Sequence, residues 1–335
     1  MTLEDRIETF SKLGKWFSNT SSSAFDEISQ KAIDGNSWFT KEHIEKAFLA
    51  WSQALTAEKI DKWLTPYHFI NRRKNVGLVL AGNVPLVGFH DVLSTLISGH
   101  QAQVKCATRD SVLIKAVIEA LSAFAPHLAE QVTWVDRLTN FDAVIATGSD
   151  NSARYFEYYF AKHPHIIRKN RVAVAILNGE ESVEALKGLG TDIFTYYGLG
   201  CRNVAKIFIP ENYDLTQLIP HFDSFEWVLN HHKYQNNYDY NKSIYLVNRV
   251  THLDNGFLLF KETQELVSPI SVLYVERYKS QAQLSLRMAS LHDKIQCVVS
   301  HKGSFDGGIP FGEAQTPELW DYADGVDTLD FLSSL

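Results

Sequence analysis

Residues 76–107 read VGLVLAGNVPLVGFHDVLSTLISGHQAQVKCA, and a change of period inside this stretch decides the fold. Val76 to Ala81 is a short continuous apolar run and reads as a buried strand. Leu86 to Ser98 repeats its apolar residues at helical spacing, and Gln103 to Ala107 returns to a strand. The alternation continues downstream: a helix over Ser111 to Phe124 capped by Asp110, strands at Val132 to Val135 and Ala143 to Ala146, a helix around Ala153 to Ala161, and a strand at Val172 to Leu177. Continuous Val/Ile/Leu/Ala strands joined by helices predict a mostly parallel sheet covered on both faces. Ligands on such sheets bind beyond the carboxyl ends of the strands.

Upstream, residues 1 to about 70 read as helices only. Leu3, Ile7, Phe10 and Phe17 share one face, Ser23 opens a second helix ending near Gly35, and Thr40 opens a third in which Phe39 and Ile44 form a hydrophobic staple. A fourth short helix holds Ile60 and Trp63 and ends before Pro66. The second half reads as another α/β unit: a helix from Ser182 to Gly188, a strand over Lys206 to Ile209, a helix from Leu215 to Leu229, strands at Ser243 to Asn248 and Ser271 to Glu276, a helix over Gln281 to Leu291 and a strand at Ile295 to Ser300. Residues 305–335 mix Gly307-Gly308 and Pro310 with an acidic run of Asp321, Asp324, Asp327 and Asp330, read as a solvated or interdomain surface.

Composition bounds the function. With 335 residues, 45% hydrophobic and 21% charged, the chain has room for about two domains. A net charge of -7 argues against nucleic acid and against a membrane surface as partner. Three cysteines without framework spacing and a charged start at Glu4, Asp5, Arg6 and Glu8 imply a reducing, cytoplasmic setting with no secretory signal. No window is apolar for long enough to span a membrane. The histidines His163, His165, His231 and His232 have no ligand spacing, so no metal is expected.

Chemistry concentrates at Tyr196-Tyr197-Gly198-Leu199-Gly200-Cys201-Arg202. Two glycines before the thiol allow a tight turn and close substrate approach, and Arg202 could favour the thiolate. The commoner reading of a lone cysteine is a small buried hydrophobe, and Cys106 and Cys297 are read that way. Two further loops stand at strand ends: Ala81-Gly82-Asn83-Val84-Pro85 and Ala146-Thr147-Gly148-Ser149-Asp150. Either could hold an anionic group through backbone donors and a helix dipole, or be simply a turn with an N-cap.

In this order the loops resemble the aldehyde dehydrogenase superfamily and, within it, the acyl-CoA reductase family typified by LuxC. Gly82-Asn83-Val84-Pro85 is similar to the Trp-Asn-x-Pro loop, Lys105-Cys106-Ala107-Thr108 to the Lys-Pro-x-Glu segment, Thr147-Gly148-Ser149 to the Thr-Gly-Ser loop and Gly198 to Cys201 to the Gly-x-x-Cys turn. Glu265-Leu266-Val267-Ser268-Pro269 is similar to the Glu-x-Phe-Gly-Pro segment, and Pro310-Phe311-Gly312 to the late Pro-Phe-Gly stretch. The matches run from about residue 76 to 312, leaving the helical first 70 residues unmatched.

The resemblance implies an α/β, aldehyde-dehydrogenase-like fold: a helical N-terminal region over 1–70, a Rossmann-type nicotinamide-cofactor domain over 71–180, a second α/β catalytic domain carrying the thiol over 181–305, and a tail over 306–335 packing back on the cofactor domain. It implies Cys201 as nucleophile and Asn83 as oxyanion support. Lys105, Thr108, Arg109, Thr147, Gly148, Ser149 and Glu265 would hold the cofactor. The implied reaction is reduction of a fatty acyl group on coenzyme A or an acyl-carrier protein to the aldehyde through an S-acyl enzyme. A partner acyltransferase or a second copy of the chain are the implied protein partners. Two departures refine this. Aldehyde-oxidising members place a glutamate base where this chain has Ile167-Arg168-Lys169-Asn170-Arg171, so a thioester on Cys201 is expected to survive. The adenosine-side acid is replaced by Thr108 beside Arg109 and Lys105, which favours NADPH over NADH. Three rivals stay open: an acyl-phosphate reductase, an acyl-transfer module without hydride transfer, and a catalytically silent interaction protein.

Overall fold

The computed structural model describes residues 2–69, 72–107, 110–305 and 307–335. By contact the chain divides into two units, Met1–Asn170 with Glu318–Leu335, and Arg171–Pro317.

The first unit opens with four helices whose starts are written in the sequence. In α1 (Leu3–Phe17) the Thr2 hydroxyl accepts from the Asp5 amide at 3.1 Å while the Asp5 carboxylate accepts from the Thr2 amide at 2.8 Å, a capping box. Helices α2 (Ser23–Gly35), α3 (Lys41–Ala54) and α4 (Ala57–Leu64) are capped by the hydroxyls of Ser22, Thr40 and Thr56. Then come β1 (Asn75–Val79), α5 (Phe89–Ile97), β2 (Gln101–Lys105), α6 (Val112–Phe124), α7 (Pro126–Ala129), β3 (Val132–Trp134), β4 (Ala143–Thr147), α8 (Asp150–Phe160) and β5 (His165–Arg168).

Among the described residues the strands form a five-stranded sheet in the order β3-β2-β1-β4-β5, every pair parallel. Chain order reverses between β1 and β4, so the crevice outside their carboxyl ends is the place this topology offers a ligand. Aromatic contacts seat the N-terminal helices on α5: Phe17 meets Phe89 at 5.6 Å and Trp51 meets Phe89 edge-on at 4.7 Å. A buried ion pair ties β5 to α5, the Arg168 guanidinium donating to both carboxylate oxygens of Asp91 at 2.6 Å.

The second unit contains β6 (Val172–Ile176), α9 (Val183–Phe194), β7 (Val204–Pro210), α10 (His232–Val247), β8 (Leu253–Asp254), β9 (Leu259–Glu262), β10 (Val272–Tyr278), α11 (Gln281–Leu291), β11 (Ile295–Ser300) and β12 (Ile309–Pro310). Its sheet runs β12-β11-β6-β7-β10-β9-β8, parallel except for the β8/β9 pair. Residues Glu318–Leu335 belong to the first unit and end in α12 (Thr328–Ser333), where the Thr328 hydroxyl accepts from Arg168 at 2.9 Å.

Two expectations fail here. Residues 243–248, expected as a strand, fall almost entirely in the last turns of α10, because Tyr234, Tyr238, Asn241 and Tyr245 form one buried helical stripe. Residues 215–229, expected as an α-helix, wind as 3-10 turns over Leu215–Gln217 and Ile219–Asn230.

Candidate active site

The thiol sits between α9 and β7 in the second unit. After α9 the backbone turns left-handed at three successive residues, Tyr196 (φ 53), Tyr197 (φ 57) and Gly198 (φ 76). Only glycine adopts this conformation without steric cost, so the two tyrosines must be held. Burial holds them in part: both are at most 6% exposed, and the Tyr197 ring lies 4.3 Å from that of His231. The buried Asn203 supplies the rest. Its side-chain oxygen accepts from the Gly200 amide at 2.8 Å, and its amide group donates to the carbonyls of Asp192 (3.0 Å), Ile193 (3.3 Å) and Thr195 (2.7 Å). Cys201, between these anchors, is exposed, whereas Cys106 and Cys297 are half-buried. Burial pushes the Cys106 thiol up to about 11.

The late Pro310-Phe311-Gly312 stretch is fixed to the same helix. Asp192, fully buried on α9, accepts from the amides of Gly312 at 2.7 Å and Ala314 at 3.1 Å. A Cβ at Gly188 would stand 2.8 Å from the Phe311 carbonyl oxygen, so the helix needs glycine there. Arg202, read as a possible thiolate partner, reaches the Ala314 carbonyl at 3.5 Å.

Glu265 follows β9 in a segment whose backbone is clamped. Lys206, wholly buried on β7, donates to the carbonyls of Thr263 at 2.9 Å and Glu265 at 2.8 Å and pairs with Glu276. Arg287 on α11 donates to both carboxylate oxygens of Glu276, at 2.8 and 3.1 Å, and to the Gln264 carbonyl at 2.6 Å. Three consecutive carbonyls thus face two cations that share one carboxylate. Burial lowers the Lys206 pKa and Glu276 works against that shift. The Glu265 side chain itself is exposed, 3.5 Å from the Lys261 ammonium.

In the first unit the sequence-predicted loops stand at the carboxyl ends of β1, β2 and β4. Asn83 is exposed on the loop after β1. That loop is pinned at Gly82, whose carbonyl accepts from the buried Asn36 amide at 3.2 Å and whose missing Cβ would lie 2.7 Å from Ala107 Cβ and 3.0 Å from Asp110 Cβ. Asp110, expected to cap α6, lies buried one residue before the helix's N-cap position, Ser111, which makes no cap hydrogen bond, and the Leu113 amide of the first turn acts on the Asp110 carboxyl. Burial pushes its carboxyl up to about 7, with the Leu86 and Leu113 amides pulling the other way. Lys105 is exposed at the end of β2, and Thr108 and Arg109 lie outside the described residues.

Thr147 closes β4, and Ser149 is the N-cap of α8, its hydroxyl accepting from the Ser152 amide at 3.3 Å. A Cβ at Gly148 would meet Ser152 Cβ at 2.8 Å and Phe156 at 2.9 Å. The glycine lets α8 start close against the strand end, with its positive dipole end at the switch crevice, which fits the phosphates of a dinucleotide. Among the described residues no cluster of three or more His, Cys, Asp or Glu is placed to hold a metal, and no helix is long and apolar enough to cross a membrane.

The sheet order, strand-end loops and thiol turn define an α/β protein of aldehyde-dehydrogenase-like fold. Solved structures agree: the chain matches aldehyde dehydrogenase from Bartonella henselae with a TM-score of 0.66 at 10% identity, over 90% of this chain and 74% of that one. It matches the P. syringae indole-3-acetaldehyde dehydrogenase AldA, solved as a mutant in complex with NAD+ and IAA, with a TM-score of 0.66 at 11% identity, over 94% and 75%. The acyl-CoA reductase (LuxC) family model matches residues 52–218, a span holding β1 to β7 and Cys201, and over that span the chain is similar to the family. A curated relative, the long-chain acyl-protein thioester reductase of Aliivibrio fischeri, is 23% identical over 169 residues. That match takes in 44% of this chain and 35% of the relative, so the chain spans only about a third of the relative's length.

Proposed function

We propose that the chain reduces a fatty acyl thioester, on coenzyme A or an acyl-carrier protein, to the aldehyde, using NADPH in preference to NADH and an S-acyl intermediate on Cys201. The observation that carries this reading is an exposed thiol on a left-handed turn that Asn203 and two buried tyrosines hold in place. Cys201 as thiolate attacks the carbonyl carbon, the bond from that carbon to the carrier sulfur breaks, and the carrier leaves as a thiolate that takes its proton from water. Asn83 is assigned the developing oxyanion, an interaction typically worth ~3 kcal/mol in activation free energy. Reduced nicotinamide supplies the hydride when bound. Lys105, Thr108, Arg109, Thr147, Gly148, Ser149 and Glu265 are assigned to hold it, the head of α8 taking the phosphates and Glu265 a ribose. The segment 167–171 presents cations and no carboxylate, and Arg168 within it is committed to Asp91, which supports thioester chemistry over hydrolysis.

The test is nicotinamide absorbance with purified protein, NADPH or NADH, and acyl-CoAs from short to long, run beside Cys201→Ser. Oxidation that requires both acyl-CoA and Cys201 supports the reductase. Acylation of Cys201 seen by mass, with no nicotinamide oxidised under any of these conditions, replaces it with an acyl-transfer module.

A further inference from the structure

A second cluster of charge lies at the opposite end of the first unit's sheet. The residues just before β1, β2 and β3 line a cavity of about 650 Å³ whose lining includes Arg6, Arg72, Arg73, His68 and His127. The strands between it and the Asn83 and Gly148 loops are up to five residues long, about 17 Å at ~3.3 Å per residue. It is therefore a different place from the dinucleotide crevice.

We infer that this cavity binds a phosphate-bearing small molecule. Its chemistry suits that ligand. Guanidiniums present paired donors that match phosphate oxygens, and three arginines lining one cavity suit a multiply charged anion. Arg6 is fixed rather than splayed: it is half-buried, donates to the Ile97 carbonyl at 2.9 Å, and packs over Gly99, where a Cβ would come within 3.0 Å of the guanidinium. Gly99 has φ +92, so the α5–β2 turn is shaped to let the guanidinium in. Burial and the nearby Arg73 charge both lower the Arg6 pKa, a repulsion that an anion between them would relieve. Glu130 also lines the cavity and sets a counter-charge at its rim. The volume lies in the range of small-molecule sites, ~300–1,000 Å³. Concavity and a half-buried arginine favour a ligand that enters over a flat acidic protein surface, and the net charge of -7 argues against nucleic acid.

The test is calorimetric titration of inorganic pyrophosphate into the protein carrying Ser149→Glu, which puts a carboxylate at the head of α8 to oppose any phosphate binding there. Saturable binding in the micromolar to low-millimolar range is expected, weakened at least tenfold by Arg73→Glu or Arg72→Glu, both at exposed positions, and unchanged by Lys31→Glu on α2. An ADP arm distinguishes sources: tighter ADP assigns a nucleotide, and equal affinity assigns a simple phosphate. Absence of saturable binding, or equal loss with Lys31→Glu, overturns the site.

Discussion

The side chain of Asn203 commits its oxygen and its amide hydrogens to the backbone around Cys201, so the turn is set by a residue two positions after the thiol. Asn203→Ala leaves buried carbonyls without this donor. At ~1 kcal/mol for each net hydrogen bond, with a further cost for unsatisfied groups, a loss of about 2–4 kcal/mol is expected in urea unfolding. The rate of Cys201 alkylation by iodoacetamide should also change severalfold; an unchanged rate would show that the turn stands without Asn203. Sequence reading found the thiol through its glycines but not Asn203, because an asparagine after a turn looks like any other turn residue until the carbonyls it serves are known. Asp110 gives a second prediction. Its folded value near 7 lies above the ordinary 3.8, so the folded state binds the extra proton between about pH 4 and 7. Stability conferred on the protonated form is therefore lost as pH rises through that window. Asp110→Asn should match wild type near pH 4 and exceed it at pH 8 by on the order of 2–4 kcal/mol. Parallel stability profiles for the two proteins from pH 4 to 8 would show that Asp110 titrates normally.

At the scale of elements, β1, β4 and β6 were legible because each is built on one apolar run, whereas β5, His-Ile-Ile-Arg, is too short and too polar at its ends to read as a strand. Ser243 to Asn248 offers Ile, Tyr, Leu and Val in a row, which reads as a strand, while the helical stripe that overrides it is made of tyrosine and asparagine, poor helix formers. The clamp on residues 263–265 was invisible because its members, Lys206, Glu276 and Arg287, come from β7, β10 and α11. Its role follows from which atoms it holds: backbone carbonyls, leaving the Glu265 side chain exposed. Arg287→Ala removes the Gln264 carbonyl contact and one partner of Glu276. The expected result is a KM for reduced nicotinamide raised about three- to tenfold, with acylation of Cys201 in a single turnover unchanged and partial rescue by Arg287→Lys. Equal loss in acylation would make the clamp a general stabiliser of the unit instead.

For the whole molecule, the decisive question is how long an acyl group stays on Cys201. Fold likeness to aldehyde dehydrogenases leaves open whether water or another acceptor takes that group, since one fold serves many chemistries. The chain's own residues point one way. In the segment 167–171, which the resemblance implies replaces a glutamate base, Arg168 is buried against Asp91 and Thr328, Lys169 pairs with Glu157, and Arg171 donates to the Ile295 carbonyl, so the segment contributes cations to structure and no carboxylate to activate water. A general base typically supplies 10²–10⁴-fold in rate, and its absence should slow hydrolysis by about that much. Mixed with long-chain acyl-CoA and no nicotinamide, the protein should therefore show one acyl group on Cys201 by intact mass. That adduct should persist after excess acyl-CoA is removed and be lost within seconds to minutes when coenzyme A is added, with acyl-CoA as the product and free fatty acid formed at least a hundredfold more slowly. Fatty acid released as fast as acyl-CoA would mean that some other group activates water, and would move the reading from thioester reduction toward hydrolysis.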